Sequence, residues 1–242
     1  MHAESAKMTI LSIETSTNVC SAALSQNGQT IASRINREGG NHARLLPDFV
    51  DELLAELRAR ALTLEAVALS EGPGSYTGLR IGASTAKGLC YGYSIPLIPI
   101  ATTEVLCAAL ATKHPLGDDD YLVPMIDARR MEVYTALYKI QNGSPILQNE
   151  ISSRVIESQD SVDWGFGKNY FFGDGATKCK DILSKNADFI EDIVPDAAVM
   201  GELALLHMQT CRTRLTTTHI AYYEPFYLKE FIAAQSHVKG LH

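Results

Sequence analysis

Two acidic residues each end a short apolar run that is typical of a β-strand. Glu14 ends the run TILSIE, and Asp127 ends the run YLVPMID. Carboxylates in such positions can hold a Mg²⁺ ion together with the phosphates of a nucleotide. A third acid, Asp174, lies between two glycines after another short strand, at Asn169 to Phe172. The chemistry that these acids could support is phosphoryl transfer.

The turns that follow the first two acids are poor in glycine. A glycine soon after the first acid would let backbone amides approach a phosphate, but Thr15-Ser16-Thr17 follows Glu14, and Arg129-Arg130 follows Asp127. The two arginines could bind phosphate or a partner's carboxylate, or lie in a solvated turn. We therefore expect a vestigial nucleotide site, whose residues are Glu14, Ser16, Asp127 and Asp174.

Metal and nucleophile chemistry have little support in the sequence. The seven histidines include no pair three or four residues apart on a helix, and the five cysteines are scattered without a CxxC pair, so no metal site is predicted. Ser16 and Ser75 lack a GxSxG elbow, and no base can be assigned to them. His42 could bind a ligand or shuttle a proton, although a solvent-exposed histidine in the first turn of a helix is the simpler interpretation.

A glycine-rich helix is predicted to begin after the turn sequence EGPG, with Ser75 as its N-cap, and to end near Tyr91. Each interior glycine costs about 1 kcal/mol relative to alanine. Three small residues spaced four apart share one face: Gly78, Gly82 and Ala86. This face predicts close packing against another helix, inside the fold or in another chain. A phosphate-binding loop is the alternative, although no Lys-Ser/Thr pair follows the glycine as a Walker loop requires.

The pattern of elements indicates two lobes. Residues 8–112 are predicted to form three antiparallel strands, an amphipathic helix from Asn41 to Arg60, and then two strand–helix pairs. After the polar linker KHPLGDDD, residues 121–230 are predicted to form the second lobe. Further helices are predicted over 178–186 and 200–210.

The two lobes share an order of features. A strand, an acid, a hairpin and an Asn-Gly turn occur in both, with the second hairpin predicted to have strands over 132–140 and 144–151. An internal duplication explains this order, and two unrelated hairpins are the alternative. Acids at equivalent strand ends in a duplicated α/β fold suggest the actin, Hsp70 and sugar-kinase (RNase H-like) architecture, with mixed sheets flanked by helices.

The composition of the chain argues against some classes of function. The 242 residues carry a formal net charge of −7, so the chain is a poor candidate for binding nucleic acid by itself. No apolar run approaches the roughly 18 residues of a membrane span, and the first seven residues do not resemble a secretory signal. Scattered cysteines are typical of reduced, buried thiols, and we expect a cytoplasmic protein without membrane association.

Several motifs spread along the chain resemble those of a known family. The stretch EGPGSYTGLRIGASTAKGL closely resembles the signature of the bacterial TsaB (YeaZ) family, which works in tRNA threonylcarbamoyladenosine synthesis. Supporting matches are ILSIETS, HARLLPDFVDELL, IDARRMEVYTA, GDGA and EPFYLKE. Together they extend from Met8 to Glu230, and the second half diverges more than the first.

The resemblance implies an actin-like fold and a non-catalytic role. Such proteins pair with a TsaD-like catalytic paralogue and a TsaE-like ATPase, which attach threonylcarbamoyl to N6 of adenosine 37 in tRNAs that read ANN codons. The catalytic paralogue holds its metal with an H-x-x-x-H motif, which this chain lacks. Glu14 stands where the family more often has Asp. The alternatives are an active ATP-dependent phosphotransferase of the same fold and a peptidase.

The resemblance also bears on cofactors and partners. We expect this chain to need no cofactor, ATP and metal to be bound by partner subunits, and tRNA to be bound only through the complex. Alone, the chain is expected to form a homodimer through its two amphipathic helices, and the paralogue would replace one copy. The residues predicted at this interface are Leu45, Phe49, Leu53, Gly78, Leu79, Gly82 and Ala86.

Overall fold

The computed structural model of the protein describes residues 8–183, 187–210 and 220–229. These residues form two lobes, each built around one β-sheet. The elements up to residue 111 are β1 (Thr9–Glu14), β2 (Cys20–Gln26), β3 (Gln29–Asn36), α1 (His42–Ala59), β4 (Ala66–Gly72), α2 (Tyr76–Tyr93), β5 (Leu97–Ala101) and α3 (Thr102–Ala111).

The second part of the chain adds shorter elements. They are β6 (Tyr121–Asp127), β7 (Glu132–Thr135), β8 (Tyr138–Gln141), β9 (Ser144–Leu147), β10 (Ser152–Val155), β11 (Asn169–Phe172), α4 (Lys180–Leu183), β12 (Ala187–Ile190) and α5 (Met200–Gln209). A 3₁₀ turn at Thr177–Cys179 precedes α4, and another at Ala197–Val199 precedes α5. The helix predicted over 178–186 therefore starts as a 3₁₀ turn, and its last three residues lie outside the described part.

The two sheets have the same topology. The strand order is β3-β2-β1-β4-β5 in the first and β10-β7-β6-β11-β12 in the second. In each, the central strand pairs antiparallel with its hairpin partner and parallel with the strand on its other side. The chain thus has the duplicated, actin-like α/β fold that the sequence predicted, and the shared topology supports the internal duplication.

The hairpin of the second lobe differs from the prediction. The strand expected over 132–140 is broken after Thr135, because the Leu137 N–H donates to the side-chain oxygen of Asn149 (2.7 Å) and the Gln148 N–H donates to the Leu137 carbonyl (2.8 Å). The Asn142-Gly143 turn joins β8 to β9, an additional hairpin that pairs with the start of β6. The third strand of the second sheet is instead β10, which pairs with β7.

Helices cover both faces of the first sheet. Side chains alternate along β1: Leu11 and Ile13 point into the core beneath α1 and α2, whereas Ile10 points toward α3 and α5. Helix α5 belongs to this second layer through Met200 and Ala204. The range 121–230, predicted as the second lobe, therefore contains a helix that packs on the first sheet.

Residues 220–229, called here the C-terminal segment, also return to the first lobe. Tyr223 joins the core beneath α1 and α2. The Lys87 ammonium group, on α2, donates to the carbonyls of Ala221 (2.9 Å) and Tyr223 (3.1 Å). The Phe226 N–H donates to the Glu71 carbonyl at 2.8 Å.

The expectation of buried thiols holds for the cysteines that the structure describes. Cys20, Cys90, Cys107 and Cys179 are free and buried, and Cys211 lies outside the described residues. In the described ranges, no helix has both the length and the apolar character needed to cross a membrane.

Candidate functional site

A cleft of about 470 Å³ lies between the two lobes, where β1 and β6 end. It is lined by the turn after β1 (residues 14–18, the first turn), the turn after β6 (residues 127–131, the second turn), the N-terminus of α2 and part of the C-terminal segment. Three of the four predicted nucleotide-site residues line it: Ser16, Asp127 and Asp174. The fourth, Glu14, is the first residue of the first turn and is fully buried.

The carboxyl group of Glu14 is used inside the first turn. Its Oε1 accepts hydrogen bonds from the Ser16 N–H and the Ser16 hydroxyl, both at 2.6 Å. Its Oε2 is buried and has no partner in the described part of the chain. Burial raises the pKa of Glu14, although the hydrogen bonds from Ser16 and the nearby Ser70 hydroxyl oppose this shift. The environment therefore favours the protonated acid, which is a poor ligand for Mg²⁺.

The first turn is covered by the glycine face of α2. The Thr15 hydroxyl donates to the Gly78 carbonyl (2.8 Å), and the Ser75 N–H donates to the Ser16 carbonyl (2.6 Å). A Cβ on Gly78 would collide with the Thr15 carbonyl oxygen, and one on Gly82 with the Thr15 hydroxyl. The close contact predicted for this face is thus made inside the fold, against a turn rather than a helix.

His42 fixes the same turn from the other side. Its Nε2 lies 3.0 Å from the Thr17 carbonyl oxygen and 3.2 Å from that of Val19. The ring is half-buried, so the expectation of a solvent-exposed histidine is corrected. Because its Nε2–H faces two backbone acceptors, this nitrogen is engaged in holding the first turn.

The second turn keeps its acid charged. Asp127 Oδ1 accepts a hydrogen bond from the Lys178 ammonium group and another from the Arg129 N–H (2.9 Å). Partial burial alone would raise the pKa of Asp127, but the hydrogen bond and charge of Lys178, together with Arg129, lower it below the ordinary value. Arg129 and Arg130 both have positive φ, which turns the chain sharply away from β6.

Asp174 supports the second turn from the neighbouring strand. Its Oδ1 accepts a hydrogen bond from the Asp127 N–H at 2.9 Å. Burial is the main cause that raises the pKa of Asp174, and the nearby Asp127 charge adds to it. A Cβ on Gly173 would collide with the Met125 carbonyl, and Gly173 has φ +99°. Glycine therefore permits the close approach that places Asp174 under the turn.

The C-terminal segment crosses the cleft. Tyr227 packs against Tyr76 at the start of α2, with 4.9 Å between ring centroids. The Lys229 ammonium group forms an ion pair with Glu132 on β7 and lies 5.8 Å from the centre of the Tyr134 ring. This segment therefore contacts one lobe through Tyr227 and the other through Lys229.

The donor set does not fit a magnesium–nucleotide complex. Glu14 is buried and favours its protonated form, and Asp127 is paired with Lys178. Across the described ranges, no group of three or more His, Cys, Asp or Glu side chains is arranged to hold a metal ion. The predicted nucleotide-site residues therefore lie close together, but they are not arranged to bind a metal ion. Their acids instead form hydrogen bonds that stabilise the two turns.

The predicted interface residues require a correction. Five of the seven are buried within the chain itself and are not available to a partner: Leu53, Gly78, Leu79, Gly82 and Ala86. Leu53 and Ala86 face the core of the first sheet, and both glycines contact the first turn. Leu45 and Phe49 are half-buried, and their place in an interface stays a prediction. Replacing Gly82 by leucine is expected to disturb folding rather than association alone.

Two lysines of this region were missed in the sequence. Lys178 follows Asp174 by four residues, and this spacing on a helical turn was a usable signal for a cation close to the acids. Lys87 binds carbonyls that are 134 and 136 residues away. No local pattern predicts that contact.

Sequence comparisons place these features in a family. A family model described as TsaD, tRNA N6-adenosine threonylcarbamoyltransferase, matches residues 29–233. The tRNA threonylcarbamoyladenosine biosynthesis protein TsaB of Haemophilus influenzae is 31% identical, over 92% of this chain and 94% of that protein. A tRNA N6-adenosine threonylcarbamoyltransferase of Shouchella clausii is 33% identical, over 38% of this chain and 32% of that protein.

Structural comparison agrees with the sequence comparisons. The solved structure of YeaZ from Pseudomonas aeruginosa superposes with a TM-score of 0.75 and 26% identity, and the match covers 91% of this chain and all of that one. The chain belongs to the TsaB (YeaZ) family, within the wider group that the TsaD model describes.

Proposed function

We propose that this chain is a non-catalytic subunit in the formation of N6-threonylcarbamoyladenosine at position 37 of tRNAs that read ANN codons. It would support a TsaD-like catalytic paralogue, together with a TsaE-like ATPase. The observation that carries the proposal is the extent of the match, which covers 92% of this chain for a TsaB protein but 38% for a transferase.

The cleft supports a non-catalytic role. In an active phosphotransferase of this fold, the strand-end acids would have to bind the metal ion that holds the phosphates. Here Glu14 accepts hydrogen bonds within its own turn, and Asp127 is paired with Lys178. The proposal assigns no cofactor to this chain, and it assigns ATP and metal to the partner subunits.

We place the partner on the outer surface of α1 and α2. Four apolar side chains there are only half-buried and pack at the edge of the core: Leu45, Phe49, Ile81 and Leu89. Tyr91, near the end of α2, is 82% exposed. Large apolar groups at the surface are typical of protein–protein interfaces. The catalytic paralogue would dock here, and a second copy of this chain would occupy the face when the paralogue is absent.

Two outward-facing glycines favour this face. A Cβ added to Gly88 or Gly92 would meet no other atom of the described residues within 4 Å. Each glycine in a helix interior costs about 1 kcal/mol relative to alanine, and contacts among the described residues give no reason for either glycine. A partner helix that approaches α2 closely would explain why these positions are glycine.

Reconstitution tests the function directly. The chain alone, the TsaD-like and TsaE-like proteins without it, and the complete mixture would each be assayed for ATP hydrolysis and for modified adenosine in tRNA. We expect modification only in the complete mixture. ATP hydrolysis by this chain alone that is lost in Asp127→Asn would contradict the proposal and favour the phosphotransferase alternative.

Association tests the proposed surface. Gly88→Leu should leave the fold intact, since its position is open, but weaken binding to the paralogue by at least about tenfold. Gln209→Leu adds the same side chain on α5, on the opposite side of the first sheet, and serves as the matched control. Binding would be measured by light scattering, and unchanged assembly of Gly88→Leu would place the interface elsewhere.

A further inference from the structure

A second cavity, of about 540 Å³, lies beside the interlobe cleft, between α2 and the C-terminal segment. We call it the α2 groove. Its wall on the helix side is one stripe of α2, at spacings of three and four residues: Tyr76, Arg80, Ala83, Ser84 and Lys87. Its other wall comes from residues 223–229. The volume is within the usual range for small-ligand sites.

The groove is basic in an acidic protein. Its lining carries three cations, Arg80, Lys87 and Lys229, and a single carboxylate, Glu224, whereas the whole chain has a net charge of −7. Lys229 is paired with Glu132. Among the described residues, neither Arg80 nor Lys87 forms a salt bridge with an acid, whereas Lys229 does.

Both of these cations retain hydrogen-bond donors. Lys87 uses its ammonium group on two backbone carbonyls, and an ammonium group has three donors. The Arg80 guanidinium lies 4.5 Å from the centre of the Tyr76 ring, and its side chain is exposed. The two residues are seven positions apart, about 10 Å along the helix axis. This separation suits two phosphates of one strand better than a single phosphate.

Aromatic rings lie next to the cations of the groove. The Arg80 guanidinium lies over the Tyr76 ring, and Tyr227 packs against the same ring with 41° between the ring planes. An arginine plane or an aromatic ring is the usual platform for an unstacked RNA base. Ser84 lies between the two cations on the stripe and is exposed. Its small side chain leaves space between them.

We propose that the α2 groove binds a short single-stranded segment of the tRNA, with phosphates on Arg80 and Lys87 and a base against the Arg80–Tyr76–Tyr227 stack. The inference rests on the proposed function, because it takes tRNA as the substrate of the assembled complex. A site with two cations is a small one, and the net charge of −7 leads us to expect that the chain alone binds tRNA weakly. Within the complex it adds to the contacts that other subunits make.

The test uses the reconstituted complex and full-length tRNA. Arg80→Glu reverses the charge in the groove, and Arg154→Glu makes the same change at an exposed position of β10 in the second lobe. Binding of fluorescent tRNA would be measured at several salt concentrations, with complex assembly checked by light scattering. A separate sample with 4-thiouridine in the tRNA would be irradiated, and the crosslinked peptides identified.

We expect Arg80→Glu to weaken tRNA binding five- to twentyfold and to reduce the salt dependence by about one phosphate contact, with assembly unchanged. Arg154→Glu should stay within twofold of the wild type, and crosslinks should fall in residues 76–87 or 223–229. Loss of assembly in Arg80→Glu would overturn the proposal by making the groove a partner contact. Unchanged tRNA binding, or crosslinks elsewhere, would also overturn it.

Controls separate this inference from the proposed function. If the wild-type chain is dispensable for tRNA modification, the proposed function fails. If modification needs the chain but Arg80→Glu binds tRNA normally, only the groove inference fails. A mononucleotide that displaces the crosslink as effectively as an RNA oligomer does would point to a free nucleotide as the ligand and contradict the assignment to tRNA.

Discussion

The first and second turns occupy equivalent places in two sheets of the same topology, yet the pKa values of their acids are shifted in opposite directions. Glu14 is fully buried, and burial favours its protonated form; Asp127 is about half exposed, and Lys178 favours its charged form. Helix α2 packs against the first turn through glycines and Thr15 there is fully buried, whereas Arg129 and Arg130 of the second turn are exposed. The comparison shows that a duplicated fold can keep an acid at both strand ends while using each to support its own backbone.

The covering of the first turn predicts the largest effect. Gly78→Ala places a Cβ against the Thr15 carbonyl oxygen, a backbone atom that cannot rotate away. We expect it to lower the free energy of unfolding by about 3 kcal/mol. Gly88→Ala makes the same chemical change on the outer side of the helix and should raise the stability by up to about 1 kcal/mol.

Urea unfolding of the isolated chain measures both variants of α2. Opposite signs would show that one helix has an inner face that requires glycine and an outer face that tolerates alanine. Equal stability of Gly78→Ala and the wild type would mean that the first turn can move away from α2, and the contrast between the two turns would be lost.

The buried acid of the first turn predicts a pH-dependent effect of intermediate size. The pKa of Glu14 is raised in the folded protein above its ordinary 4.5, so this group favours folding at acidic pH and the favourable contribution is lost as pH rises above about 4.5. Glu14→Gln keeps an oxygen for Ser16 and cannot ionise. We expect the variant to be more stable than the wild type by about 1–2 kcal/mol at pH 8.

The sign of the pH dependence is the critical result for Glu14→Gln. Its advantage over the wild type should shrink as pH falls toward 4. Unfolding curves at pH 4, 6 and 8 would reveal this trend. A variant that is less stable than the wild type at pH 8 would show that the charged carboxylate has a favourable partner, and the two acids would then be alike.

The second turn predicts the smallest effect, with the opposite pH dependence. Because the pKa of Asp127 is lowered below its ordinary 3.8, its pairing with Lys178 contributes stability above that pH, and the contribution is lost as pH falls through the lowered value. The Asp127 side chain is 48% exposed, so water screens the pair. Asp127→Asn should cost no more than about 1 kcal/mol at pH 7.

Thermal unfolding at pH 7 and pH 3 would test this expectation, with Lys178→Met as the matched change in the other partner. Both variants should approach the wild type at pH 3. A loss of several kcal/mol in Asp127→Asn would mean that the second turn depends on its acid as strongly as the first turn depends on its packing.

Local patterns were sufficient to predict much of the fold. The Asn27-Gly28 hairpin, the apolar stripe of α1 and the Ser75 cap of α2 all appear where the sequence indicated, since each depends on neighbouring residues. The strand predicted over 132–140 was wrong because Asn149, a residue outside the strand, breaks it. Long-range contacts of this kind leave no periodic signal.

The candidate site could be predicted less completely. Spacing identified the glycine face of α2, but spacing alone does not tell a turn of the same chain from a partner helix, and Thr15 decides between them. The positions of Glu14 and Asp127 were also predicted. The opposite shifts of their pKa values were not predicted, because these shifts depend on burial and on Lys178.

The placement of α5 on the first sheet has a consequence for synthesis of the chain on the ribosome. Strand β5 completes that sheet by residue 101, but Met200 and Ala204, which cover part of its second face, are made about 100 residues later. At about 5–20 residues per second, the apolar surface around Ile10 and Ile98 waits roughly 5–20 s for its cover. We expect nascent chains stalled before residue 197 to bind a hydrophobic dye or a chaperone, and chains released at full length not to do so. The first lobe is therefore synthesised first, but its core is completed only after the second lobe has been synthesised.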